Sequence, residues 1–273
     1  MCPHCRAFIT NRDRVCPYCQ ETVGARAIDL RDDAPIGGFI PQRNFTTVII
    51  LLINFGFYAA TVAASMNAGN QLDKAVMNID GPTLFAFGAK WAPAIFGGEY
   101  WRLVTAGFLH GGLIHIGMNS WAMFSLGADV DEIYGTSRML AIYFVSSVCG
   151  FAFSTLFSAS LSIGASAGIC GLIGAMIALG MRHHNPIGDA VRGTYLRWAG
   201  MVLIMGFAIP HIDNAAHIGG LAGGFGVAWI AGEPGRIGSA TERLWRVAGL
   251  LSILITVFCF LKMYLSMSQN MQQ

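Results

Sequence analysis

The chain has 273 residues, 54% of them hydrophobic and only 12% charged, with a formal net charge of +2. A soluble domain carries about 25% charged residues; half that share, with a mean hydropathy of +0.54, excludes an ordinary water-soluble globule and makes lipid part of the solvent. So small a net charge, spread over short loops, gives no basis for a nucleic-acid partner.

The first 23 residues hold two CxxC knuckles, Cys2/Cys5 and Cys16/Cys19. Four thiolates at this spacing suit tetrahedral Zn²⁺. A reducing cytoplasm favours metal over disulfides. So small a unit has no core of its own, so the metal would supply its folding energy. A structural Zn²⁺ on Cys2, Cys5, Cys16 and Cys19 is therefore expected in a zinc-ribbon-like unit, closed and without an open position for chemistry, with His4 as a spare ligand. The other cysteines (Cys149, Cys170, Cys259) lie in apolar runs and read as small core residues. Residues 24–43 mix Gly, Pro and both charges without an apolar period and read as a tether.

The N-terminus lacks a short apolar region with a cleavage site, so the first apolar run is expected to be a retained anchor. That run, residues 46–66, carries no charge and is long enough to span. Residues 67–102 are more polar but include Phe85, Phe87, Trp91, Phe96, Tyr100 and Trp101. Aromatics among polar neighbours favour the headgroup level, so this is a long loop lying partly in the interface. Further spans are expected at about 105–127, 139–160, 164–181, 196–211, 214–232 and 246–265, an all-α polytopic membrane fold. Arg43, Arg138, Arg182, Arg192, Arg197, Arg236, Arg243 and Arg246 fall on alternate connections, whereas 158–162 and 210–214 have no basic residue. The N-terminus is then cytoplasmic and the C-terminus extracytoplasmic. The same parity puts Ser166 and His217 at similar depth in the outer half of the bundle.

Polar groups inside a bilayer face the bundle interior or a water-filled cavity. Those that stand out are His110, His115, Asn119, Ser166 and His217. His115 and Asn119 are four apart and share a helix face. Ser166 lies in GASAG, with little side-chain bulk around its hydroxyl. His217 lies in AAHIGGLAGG, where Gly219/Gly223 and Gly220/Gly224 are spaced for close helix contact. A serine hydroxyl needs a base to become a nucleophile, and histidine is the usual one. No carboxylate is embedded in the spans to complete a triad; Asp213, at the mouth of the sixth span, is the nearest. The Ser166 N–H, the His115 ring and the Asn119 amide are candidate donors to an oxyanion.

Taken in order, these motifs resemble the rhomboid family of intramembrane serine proteases over roughly residues 45–235. The pattern includes the WR pair at Trp101 and Arg102, HxxxxHxxxN as His110, His115 and Asn119, GASAG around Ser166, and AHIGG around His217. The resemblance implies a six-helix core and hydrolysis of transmembrane protein substrates where residues are small and helicity weak. It also implies Ser166 as nucleophile, His217 as general base, and His115 and Asn119 at the oxyanion. Trp101 and Arg102 would hold the first loop, with His110 in a supporting hydrogen-bonding role. No cofactor is implied for catalysis. Many relatives have Gly after the serine; Ala167 is expected to narrow the cleft by a methyl. The seventh span is additional to the core and is expected to serve packing or assembly.

The expected organisation is a four-cysteine unit (1–23), a linker (24–43), a protease core (44–235) and a C-terminal loop, seventh helix and tail (236–273), in a bacterial plasma membrane. Two other readings stand beside it: a catalytically inactive rhomboid-like protein that binds membrane helices, and a metal-ion transporter built on the intramembrane histidines. Transport sites usually include carboxylates within the spans, which are missing here.

Overall fold

A computed structural model describes residues 2, 4–9, 13, 15–21, 23, 44–210, 212–235 and 239–270. The expected tether over 24–43, with Arg43, and Arg236 lie outside the described residues. The described chain is all-α. It has eleven α-helices and no strand; an isolated antiparallel bridge pairs Lys90 with Ser162.

Helix α1 (Phe45–Asn67) opens the membrane bundle. Its buried stripe is polar, formed by Thr46, Thr47, Asn54, Thr61 and Ser65 around Ile50, while Leu52, Ile53, Phe55 and Met66 point outward. A water-soluble helix does the reverse; lipid, as apolar as leucine, gives no drive to bury large side chains. The long first loop follows as four short helices, α2 (Leu72–Met77), α3 (Gly81–Ala86), α4 (Ala92–Phe96) and α5 (Arg102–Thr105), and a 3-10 turn at Ala106–Phe108.

Then come the longer helices α6 (Leu113–Tyr134), α7 (Thr136–Phe157), α8 (Ser166–Arg182), α9 (Pro186–Ala208), α10 (Asn214–Ala231) and α11 (Ala240–Asn270). With α1 these make the seven expected helices, but several limits move. The expected span at 105–127 becomes Leu113–Tyr134, because residues 102–108 are spent on the end of the first loop. The span at 196–211 begins ten residues early, at Pro186, where the Asn185 side chain accepts the Gly188 N–H as an N-cap. Arg138, Arg192, Arg197, Arg243 and Arg246, expected in loops, lie on helices. Three helices are long and apolar enough by themselves to cross a membrane, α1, α7 and α11; α8 is apolar but shorter.

Helix α8 is the hub. It is buried continuously from Ala167 to Gly180 and packs against α6, α7, α9 and α10. The α8–α10 contact is backbone on backbone. A Cβ at Gly224 would overlap the Gly171 carbonyl, and one at Gly220 the Ala167 carbonyl. At 17 residues α8 rises only about 25 Å, short of a hydrocarbon layer of about 30 Å. Its C-terminal end carries Arg182 beside exposed His183.

Helix α11 is tied to the core. The Arg138 guanidinium, at the start of α7, meets Glu242 through two 2.8 Å bonds with both side chains buried. Phe260 stacks on Phe57 of α1, with centroids 4.2 Å apart. Breaking a buried ion pair from one side leaves the other charge uncompensated, at a cost of about 3–5 kcal/mol. Glu242→Ala should therefore lower the unfolding free energy in detergent by about that amount. An unchanged denaturant midpoint would mean that Arg138 finds water or another partner.

Candidate active site

Ser166 is the first residue of α8, and His217 sits one turn into α10. The glycine contacts between these helices bring His217 Nε2 to 2.9 Å from Ser166 Oγ. His217 is 6% exposed. With Nε2 facing a hydroxyl donor, a neutral ring carries its proton on Nδ1, which has no partner among the described residues. Asp213 does not supply one. Its Oδ1 accepts the Ala216 N–H at 3.0 Å as the N-cap of α10, and its Oδ2 accepts the Ser154 hydroxyl. The arrangement is a serine–histidine pair with no third group on the imidazole among the described residues.

His115 lies across from this pair. The Gly111 N–H donates to His115 Nδ1 at 3.3 Å. The proton of the neutral ring is therefore on Nε2, and Nε2 faces Gly164. Gly164 has φ +126°, and a Cβ there would lie 2.8 Å from His115 Nε2 and 3.5 Å from Ser166 Oγ. Only glycine suits both that backbone and that crowding. His115 thus presents an N–H beside the serine. The first N–H groups of α8 are also unpaired within the helix and lie at its positive end.

Asn119 lies one turn after His115 on α6. Its amide donates at 2.9 Å to the His115 carbonyl within its own helix, so that hydrogen is not aimed at Ser166. His110 is fully buried, its ring edge-on to His115 with centroids 5.1 Å apart, and neither of its ring nitrogens has a hydrogen-bond partner among the described residues. The methyl of Ala167 does not narrow the cleft: Ala167 is fully buried and lies over Gly150 of α7, where a Cβ would come within 2.8 Å of it.

Arg102 locks the first loop. Its Nε binds Glu99 at 2.6 Å, its Nη1 donates to the Phe85 and Ala89 carbonyls at 2.6 and 3.1 Å, and its plane packs on Phe85 and Trp101. Trp101 in turn covers Gly88, where a Cβ would touch its ring at 2.8 Å. A second lock was not legible in the sequence. Asp80 accepts from Ser65, Asn70 and Thr83. Burial alone would raise its carboxyl, but the Ser65 and Thr83 bonds hold it below the usual carboxylate range.

The four N-terminal thiols converge. All Sγ atoms lie within 4.8 Å of one another, with Cys2–Cys19 and Cys5–Cys16 both at 3.6 Å. Four sulfurs around Zn²⁺ at about 2.3 Å sit about 3.8 Å apart, so the quartet fits this ion. The two knuckles are built alike: Arg6 and Gln20, each after the second cysteine, have φ of 60° and 59°, and each returns its N–H to the first cysteine's carbonyl. Among the described residues no other cluster of His, Cys, Asp or Glu has metal-binding geometry; His110, His115 and His217 do not form one.

The model of the Rhomboid domain matches residues 97–234, half of the chain and all four motifs from Trp101 to His217. The chain belongs to the rhomboid family. It is 37% identical over 181 residues to rhomboid protease GluP of Bacillus subtilis, covering 63% of this chain and 34% of that protein. It is 33% identical over 189 residues to rhomboid-like protease 2 of Toxoplasma gondii, covering 67% and 64%. It is also 32% identical over 136 residues to inactive RHOMBOID-like protein 8 of Arabidopsis thaliana, covering 49% and 38%. The chain thus spans less than two thirds of these relatives' lengths. As a rhomboid with apolar helices it is an integral, multi-pass membrane protein, and its relatives include both proteases and an inactive member.

Proposed function

We propose that this rhomboid is an intramembrane serine endopeptidase acting on transmembrane protein substrates through a Ser166–His217 dyad. The observation that carries the proposal is the 2.9 Å approach of His217 Nε2 to Ser166 Oγ at the N-terminal end of α8. His217 takes the hydroxyl proton as Oγ attacks the scissile carbonyl. The oxyanion forms beside the Ser166 N–H and the His115 Nε2–H. His217 then gives its proton to the leaving amine, and water hydrolyses the acyl-enzyme by the reverse sequence. Asn119 supports His115 through its carbonyl and keeps a second amide hydrogen for the oxyanion. Trp101, Arg102 and His110 hold the loop and the ring in place.

Small residues at the cleavage site fit a nucleophile reached through glycine and alanine. The core occupies residues 44–235, preceded by a zinc ribbon (1–23) and followed by α11. Cys2, Cys5, Cys16 and Cys19 would hold one Zn²⁺, which supplies folding energy to the ribbon. Basic residues near alternate helix ends support a cytoplasmic N-terminus and an extracytoplasmic C-terminus.

An inactive, helix-binding role has support in the inactive relative, but Ser166 and His217 are both retained here and within hydrogen-bond distance. The test is cleavage of a transmembrane reporter in liposomes. Turnover that survives chelators and is absent in Ser166→Ala supports the protease; binding without turnover by folded wild type supports the inactive alternative. In the same assay His115→Ala should cut kcat by about 10²–10³, the usual loss for one oxyanion donor. An effect on KM alone would assign His115 to substrate binding.

A further inference from the structure

Lys90 is a fully buried lysine in the aromatic-rich first loop. Its backbone pairs in both directions with Ser162, each bond 3.0 Å. Its Nζ donates to the Ser158 and Ser160 carbonyls at 2.6 and 3.2 Å. This one residue therefore gathers the connection from α7 to α8 (158–165) at Ser158, Ser160 and Ser162, the last of them four residues before Ser166. The Gly164 N–H adds a tie to the Ala106 carbonyl at 2.9 Å.

Asp213 stands on the other side of this connection. It caps α10 through the Ala216 N–H, one turn before His217, and its backbone carbonyl accepts the His217 N–H at 3.1 Å. Its second oxygen accepts from Ser154 at the end of α7. A buried first-loop lysine thus holds the nucleophile's connection, while a half-buried carboxylate ties the histidine's helix to the end of α7, where that connection begins; neither group hydrogen-bonds the imidazole.

We infer that Lys90 and Asp213 are positioning residues, two anchors of the segment from the end of α7 to Ser162 that together set the register of Ser166 against the His217 helix. The inference rests on the protease proposed above. Displacing a reacting pair by about 1 Å costs about 10²-fold in rate, so a small shift of either segment is felt in catalysis before it is felt in the fold.

The test is fluorophosphonate labelling of the full-length protein in lipid, for wild type, Lys90→Met, Lys90→Arg, Asp213→Asn and the Lys90→Met/Asp213→Asn double variant. Asp213→Asn keeps an N-cap oxygen and so preserves the fold if Lys90→Met does not. The two neutralising variants should label roughly ten- to a hundredfold more slowly per folded molecule, through a lower limiting rate with an unchanged half-saturating probe concentration. Lys90→Arg should recover part of the rate. The double variant should be no slower than the slower single variant, because coupled sites are not additive. Full-rate labelling of Asp213→Asn, or losses that multiply in the double variant, overturns the positioning role alone. An unlabelled, folded wild type overturns the protease proposal instead.

Discussion

Ser166→Ala should abolish fluorophosphonate labelling, and His217→Ala should slow it by roughly 10⁴-fold, as expected when nucleophile and base act as a unit. The two losses should not add, so Ser166→Ala/His217→Ala should be no worse than Ser166→Ala alone. The physical ground is the 2.9 Å contact. Without an acceptor at Nε2 the hydroxyl keeps its proton, and no carboxylate replaces the base, since both Asp213 oxygens are engaged elsewhere. Labelling is measured by intact-protein mass, with the adduct mapped to Ser166. Undiminished labelling in His217→Ala would show that another base serves, and would break the dyad.

Cys16→Ser should remove one bound zinc per chain. Cys16 is fully buried among the other thiols, and a three-sulfur site loses a closed tetrahedron. Structural Zn²⁺ contributes about 10–16 kcal/mol to such units, far more than 23 residues can bury, so the ribbon should unfold and become protease-sensitive. Zinc should also leave as the pH falls, because protons compete for the thiolates. Metal content by mass spectrometry checks both. Ser166 labelling should be unchanged, since a four-thiolate site offers no position for chemistry. Zinc-free wild type with an intact ribbon would sink the metal assignment.

Much of the molecule was legible in the chain. Hydropathy marked all seven long helices, because a bilayer demands long apolar segments with internal hydrogen bonding. It missed where helices begin. The α9 start carries Asp189 and Arg192, and residues 102–108 are apolar yet belong to the loop. A hydropathy run follows contact with lipid, whereas a helix ends where its caps and hydrogen bonds end. Glycine spacing on α10 foretold a close helix contact, and the motif order foretold the family.

Other features had no local signal. Arg138 read as a loop charge because its partner, Glu242, is 104 residues away. Nothing around Lys90 in the sequence marks it as fully buried. Nor did the sequence show that one Asn119 amide hydrogen is engaged by the His115 carbonyl.

The sequence by itself determined that this chain needs a membrane, which side chains are polar inside it, that four thiols form a cluster, and that Ser166 and His217 share a depth. Each of these follows from periodicity, spacing and the high cost of unpaired polar groups in lipid. Only the tertiary structure decided that the two residues meet at hydrogen-bond distance, that His115 presents Nε2–H, and that Asp213 caps a helix rather than holding the imidazole. Those outcomes depend on backbones approaching within a glycine's width and on partners far apart in the chain, and neither is encoded in any one segment.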